Sequence, residues 1–359
     1  MEQDIMQTDM HYYATYAMAR AAGLTISTCQ KIAYSAQFVD DNSGHQQLDL
    51  FDKAQLHFKK AENHGTNNRN LEPEEQGLVK GEAPTLASGA KDTDVEKLTW
   101  EKNNEIAKQM FEHYLSLPEN NYNPYLIGVA AHIYAGSFSY DDSAGISQQD
   151  NNKTGVAFEC NDKSTDDFKS YIAQKWRAFK TKLEVNSAER FSNKLGNNAD
   201  HVYKNRPFLT WQFEYQSGGK DNWGNNPQTF IQACEHLYTR FKLFAANNPE
   251  LTNAVSGIAF EEIRSVISDI LNTKGDINKR INKWQECAKN GSLFGLPQNI
   301  PEYNKEEWLT QLDRLSKIES SEGIINLDIS KFLQAAAIHR TYVLQELLPE
   351  HGLQIRSYN

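Results

Sequence analysis

His132 lies in the run GVAAHIYAGSFSYDDSAGIS, a histidine set among Val129, Ala130, Ala131 and Ile133. Gly136 and Tyr140 follow at four and eight residues, offsets that stack on one face of a helix. A histidine, a carboxylate and a second histidine at those offsets would form half of a buried multi-metal hydrolase site. Here the first position alone carries a ligand-type residue, so other donors must come from elsewhere in the chain. Divalent metal in a helical core needs His and Asp/Glu directed inward from several helices. Asp9 and His11 supply such groups at the start of the first predicted helix, and Asp40 and Asp41 at the end of the second. Helix ends suit ligands, because the helix body fixes their direction while the end meets the rim. Acid at a helix C-terminus also opposes the dipole, which a nearby cation would relieve. His201, beside aromatics and Arg206 in NADHVYKNRPFLTWQFEY, is a further candidate. Each has a plainer reading: Asp9 as a helix cap, His132 as a hydrogen-bonded core histidine, Asp40 and Asp41 as a polar helix end.

The elements that must position these residues read as helices. Asp9 can cap a helix through His11, Tyr12, Thr15 and Met18 that stops at Gly23. Ser27 and Gln30 form a capping-box pair before KIAYSAQFVDD, whose Ile32, Ala33, Ala36 and Val39 keep helical spacing. WEKNNEIAKQMFEHYL is helical up to Pro118. Asn123 followed by Pro124 opens the His132 helix, and Asn226 with Pro227 repeats the device before TFIQACEHLYTRFKLF. Further helices are expected in FKSYIAQKWRAFKTKL, FEEIRSVISDILN, INKRINKWQECAK, EEWLTQLDRLSKI and SKFLQAAAIHRTYVLQELL, the last closed by Pro349. RPFLTWQFEY alternates weakly, contains a proline and has no evident partner, so it reads as an ordered loop or short extended piece. The stretches 63–90 and 147–161 lack periodicity and read as loop-like insertions. The expectation is an all-α, multi-helix bundle with long irregular loops, one domain over residues 1–359.

Composition bounds the function classes. A net charge of −10 gives no basic surface for duplex nucleic acid. The 17 Phe, 16 Tyr and 6 Trp can furnish a sizeable core despite a mean hydropathy of −0.68. The 4 cysteines are widely spaced, without a CxxC pair, and fit buried free thiols in a reducing compartment. No apolar run approaches membrane-spanning length and the acidic N-terminus has no secretory-signal pattern, so a cytoplasmic location is expected, with signal-independent secretion left open. GxSxG, Walker A, dinucleotide-glycine and calcium-loop patterns are absent from the sequence.

The segments DMHYYATYAMARAAGL, IAYSAQFVDDN and NPYLIGVAAHIYAGSFSYDDSAGI, and more loosely HVYKNRPFLTWQFEY and FLQAAAIHRTYVLQELLPEHGL, resemble a bacterial family of uncharacterised proteins. That pattern is similar in turn to the all-helical zinc phospholipase C and single-strand nuclease superfamily. The resemblance implies a helical fold in which a three-metal cluster activates water against a phosphodiester. Its hallmark is a histidine on the first helix, an aspartate after the second, and a central helix bearing His, Asp four residues on, then His. His11 matches the first position, Asp40 the second with Asp41 as alternative, and His132 the start of the central motif. Gly136 and Tyr140 stand where the aspartate and second histidine would be, and His201 is a loose match to a later ligand.

Three readings follow. The first is a metal-dependent phosphoesterase-like hydrolase with a reduced site, in which zinc is held by His11, Asp40 and His132 with water, acting on a phosphorylated small molecule or lipid headgroup. The second is a catalytically inactive descendant, without metal, serving as a binding or effector protein. The third is an interaction protein whose loops at 63–90 and 147–161 meet a protein partner.

Overall fold

The chain turns first where Gly23 follows a run of small residues. In the computed structural model, Asp9–Ala14 form a π-helical segment that runs directly into α1 (Thr15–Ala21), and Gly23 takes a φ of 103° just past its end. That left-handed conformation suits glycine and stops the helix where the sequence places the stop. α2 (Ile26–Asp41) begins at once. Its cap is Thr25, whose Oγ1 accepts from the Thr28 amide at 3.2 Å, two residues before the expected Ser27. The turn between α1 and α2 is pinned by backbone bonds from Thr25 N–H to Leu251 O and from Asn253 N–H to Gly23 O.

The described residues are 7–41, 48–49, 57–58, 105–138, 206–213, 222–253, 257–315 and 321–351. The loop-like stretches 63–90 and 147–161, the helix expected at 168–183, Tyr140, Cys160 and His201 lie outside them. After α2 come α3 (Glu105–Ser116), α4 (Asn123–Gly136), α5 (Asn226–Asn247), α6 (Phe260–Leu271), α7 (Ile277–Lys289), α8 (Lys305–Leu315), α9 (Ser321–Ile325) and α10 (Asp328–Tyr342). The architecture is all-α, as the periodicity predicts. No described helix is long and apolar enough to cross a membrane. Two short antiparallel pairs accompany the helices: β1 (Leu48–Asp49) with β2 (His57–Phe58), and β3 (Thr210–Phe213) with β4 (Asn222–Asn225). β3 corrects the expectation that RPFLTWQFEY has no partner. The partner was hidden because Asn-Trp-Gly-Asn carries no strand pattern of its own; only the cross-strand ladder makes it one.

The two Asn-Pro starts differ from expectation by one residue. α5 is capped by Asn225, which accepts from the Gln228 amide at 3.1 Å, while Asn226 donates to Arg206 O. At α4 the cap position is Tyr122, and Asn123 donates its side chain to Pro118 O. Proline still occupies the first turn in both, where its missing N–H costs nothing.

α4 is the central helix. Every residue from Asn123 to Ala135 is buried, so it has no solvent face. It packs on α2, α3, α5, α10 and the π-helical segment, and its contact with α2 is the most extensive among the described residues. Gly128 makes that contact possible: a Cβ added there would sit 2.4 Å from the Ile32 carbonyl oxygen and 2.5 Å from Ser35 Cβ. An aromatic group seals the pair from the far side, with Trp308 of α8 at 4.3 Å from Tyr34 and Phe332 of α10 at 5.2 Å from Phe38.

The π-helical segment is held from its other side by charge. Arg280 of α7 is 2 % exposed, and its Nε donates to Asp9 Oδ2 at 2.7 Å while Nη1 donates to Gly275 O and Nη2 to Gln7 Oε1. Asp9 is therefore an ion-pair partner and not the cap that the sequence suggests. Burial raises its carboxyl above the usual range, and the Arg280 guanidinium opposes that rise.

Two consequences are measurable by chemical denaturation. Gly128→Ala gains about 1 kcal/mol of helix propensity, but the overlap with α2 outweighs it, for a net loss of roughly 1–3 kcal/mol. Arg280→Ala strands the Asp9 carboxylate and costs about 3–5 kcal/mol, whereas the double change Asp9→Leu with Arg280→Met recovers most of it. Equal losses in the single and double variants would show that charge does not hold the segment.

Candidate metal centre

Three segments bring one donor each to a common point. His11 comes from the π-helical segment, Asp40 from the last turn of α2 and His132 from α4. Their exposures are 2 %, 7 % and 8 %. His11 and Asp9 are two residues apart and so project to opposite sides of their segment, Asp9 to Arg280 of α7 and His11 to α2 and α4. A π-helical stretch widens the turn and is a frequent device for aiming side chains at a site.

His11 Nε2 is 3.8 Å from Asp40 Oδ2, and His132 Nε2 is 3.7 Å from Asp40 Oδ1. The imidazoles stack with centroids 4.1 Å apart and an interplanar angle of 27°. One ligand atom from each of the three residues lies within 4.8 Å of the others. Both His–Asp distances exceed hydrogen-bonding range. A tetrahedral ion with bonds near 2.0–2.1 Å holds its donors roughly 3.3 Å apart, about half an ångström less than the two His–Asp separations.

The surroundings favour that use. His132 Nδ1 lies 2.9 Å from the Ala36 carbonyl. A carbonyl can only accept, so Nδ1 carries a proton, and in the neutral ring the lone pair is on Nε2, the atom 3.7 Å from Asp40. That is the arrangement in which an outer hydrogen bond orients a ligating histidine. His11 is pushed by burial from 6.5 to about 3 and stands as the neutral imidazole that metal ligation requires. Its Nδ1 is buried without a hydrogen-bond partner. One carboxyl group and two imidazoles, so buried, form a donor set of the kind that a divalent transition ion takes.

Asp41 goes elsewhere. Its Oδ2 accepts from Tyr303 Oη at 2.6 Å and from Gln37 Nε2 at 3.4 Å, and Lys305 Nζ lies 3.7 Å from Oδ1. These contacts separate two neighbouring aspartates, the preferred ligand and its alternative in the sequence: Asp40 joins the two histidines, and Asp41 ties α2 to the chain before and within α8. Neither Tyr303 nor the Ala36 carbonyl carries a sequence signal that could have revealed its role. Gly136 closes α4 one turn beyond His132 and brings no side-chain donor.

Three other described histidines serve packing and hydrogen bonds. His339 Nδ1 is 2.8 Å from Tyr114 Oη, His236 Nδ1 is 3.2 Å from Tyr134 Oη, and His113 stacks on Tyr342 with centroids 3.7 Å apart. Cys29, Cys234 and Cys287 are buried free thiols, and burial pushes Cys234 up to about 12. Among the described residues, His11, Asp40 and His132 form the group of three or more potential donors close enough for one ion.

The low proton affinity of His11 has a consequence for stability. In the unfolded chain this histidine takes up a proton near pH 6.5, while in the fold it resists until about 3. The unfolded state therefore binds more protons in that interval, and the metal-free protein loses stability as pH falls from 6.5 toward 3. His11→Gln is expected to flatten this slope in denaturation curves taken across the interval; an unchanged slope would mean that His11 is not the group resisting protonation.

No curated protein and no solved structure matches the chain. A family match covers residues 6–347 and so takes in all three converging donors: the chain belongs to the Family of unknown function (DUF6765).

Proposed function

We propose that the protein is a mononuclear metalloprotein of hydrolytic type, with His11, Asp40 and His132 as the ligands of a divalent ion, zinc fitting the donor set best. The observation that supports this most is the shared carboxylate: Asp40 offers one oxygen to each histidine at 3.7–3.8 Å, and the His132 ring is fixed from behind by the Ala36 carbonyl. A bound divalent ion with an open position supplies Lewis acidity and makes water a nucleophile near neutral pH. The protein's own residues supply the rest. His11 and His132 hold their rings in contact, Asp40 sets the charge, and Lys305 with Tyr303 keeps Asp41 out of the group. The resemblance to the phospholipase C and nuclease superfamily supports phosphoesters as the bond class, whether in a phosphorylated small molecule or a lipid headgroup. Position 136, which holds glycine, supports one ion and not a cluster.

A second reading, a descendant that keeps the fold as a binding or effector protein without chemistry, is supported by the same missing donors at 136 and 140. Metal analysis of purified protein separates the two. The hydrolase reading expects near-stoichiometric zinc that falls at least tenfold in His132→Ala and in Asp40→Asn, with slow hydrolysis of an activated phosphodiester by the zinc-loaded wild type alone. Protein that binds no divalent ion and keeps its thermal midpoint in chelator would eliminate the metal reading. Full metal with no hydrolysis would keep the metal centre and remove the hydrolytic part of the reading.

A further inference from the structure

We propose that Tyr303 is a positioning residue of the candidate metal centre: by holding the residue after His11 and the residue after Asp40, it fixes the separation of those two donors. The inference rests on the metal reading above and adds to it what keeps the donors in register.

Between α7 and α8 the chain lies along α1 and the π-helical segment as a strap. Gln298 Nε2 donates to Tyr16 Oη at 3.0 Å, and Gln298 Oε1 accepts from Arg20 Nε at 2.9 Å. Gln285 of α7 donates to the Ile300 carbonyl at 2.8 Å. Five residues after Gln298, the Tyr303 ring lies 5.2 Å from that of Tyr12, four residues before Tyr16. The strap therefore runs antiparallel to α1 and arrives at the π-helical segment beside the position of His11.

There three consecutive residues meet α2. Tyr303 Oη donates to Asp41 Oδ2 at 2.6 Å, a length typical of a hydroxyl on a carboxylate. Tyr34 Oη donates to the Asn304 carbonyl, and Lys305 Nζ lies 3.7 Å from Asp41 Oδ1. The Tyr303 ring also packs 4.8 Å from that of Tyr34. One side chain thus bridges two of the ligand-bearing elements. Its ring meets Tyr12, next to His11, and its hydroxyl meets Asp41, next to Asp40. It acts through those neighbours and not on the donors themselves.

The three sides of the donor triangle are held by different means. The Asp40–His132 side follows from the close approach of α2 and α4, with Gly128 on Ile32 and His132 on the Ala36 carbonyl. The His11–His132 side is a ring stack at 4.1 Å. The His11–Asp40 side, 3.8 Å long, has Tyr303 linking the two elements that carry it. Partners that orient ligands in this way typically account for about 10–100-fold in metal affinity.

The test titrates cobalt(II), whose visible bands report its ligands, into the full metal-free chain. Tyr303→Phe keeps the ring on Tyr12 and Tyr34 and deletes the hydroxyl, while Asp41→Ala deletes its acceptor. Each is expected to weaken cobalt binding at least about tenfold and to shift the bands. The double variant is expected to cost little more than either single one, since both remove the same bond. Asp41→Asn keeps an oxygen that can accept from Tyr303 and is expected to stay near the wild type. Tyr114→Phe, which breaks the bond between Tyr114 and His339, is the control, expected to lower the thermal midpoint and leave cobalt affinity and bands as they are. Wild-type affinity and bands in both Tyr303→Phe and Asp41→Ala, or an equal loss in Tyr114→Phe, would overturn the inference and leave the metal reading intact. If Tyr303→Phe does not fold, Asp41→Asn and Asp41→Ala decide, and equal cobalt affinity in those two overturns it. A wild type that takes up no cobalt removes the metal reading itself, and this inference with it.

Discussion

α4 rests on α2 with no clearance for a side chain at the crossing, and the positions of the candidate ligands descend from that contact. Because residue 128 is glycine, the α4 backbone comes down to the Ile32 carbonyl. One turn later His132 is close enough to hydrogen-bond the Ala36 carbonyl, and its ring then faces Asp40. A larger residue at 128 would lift α4 from α2 and withdraw His132 from both partners. The π-helical segment completes the arrangement from a third side, clamped between Arg280 behind it and the two helices before it.

The electrostatics of this region divide between two aspartates adjacent in sequence and a third near the N-terminus. Asp9 has Arg280, and Asp41 has Lys305 and Tyr303, so each is compensated by a specific partner. Asp40 faces two imidazoles, 3.8 Å from His11 and 3.7 Å from His132. His11 is held neutral by its own burial, as a ligand of the proposed ion would have to be.

Much of this was legible in the sequence, and the limits of legibility have physical causes. Helices were readable because amphipathic spacing is local, and the run around His132 read as an apolar helix, though its burial on every side shows only in the structure. His11, Asp40 and His132 could be named as donors by type and by position at helix ends. Their convergence could not be derived, since it depends on Gly128, whose role appears only when α2 lies beneath it. Asp9 looked like a cap because its partner, Arg280, is 271 residues away along the chain. Asp40 was preferred over Asp41 by resemblance alone, because one residue of helix rotation, about 100°, decides which of them faces His132. The β3–β4 pairing was invisible for the same reason of context, as Asn222–Asn225 has no strand character outside the ladder.

The most direct measurement is anomalous X-ray diffraction at the zinc edge from crystals grown with zinc. The expected result is a peak enclosed by His11 Nε2, Asp40 and His132 Nε2, about 2 Å from each, with the His132–Ala36 hydrogen bond retained. A map with no peak among these three residues, while they keep the separations described above, would contradict the metal centre.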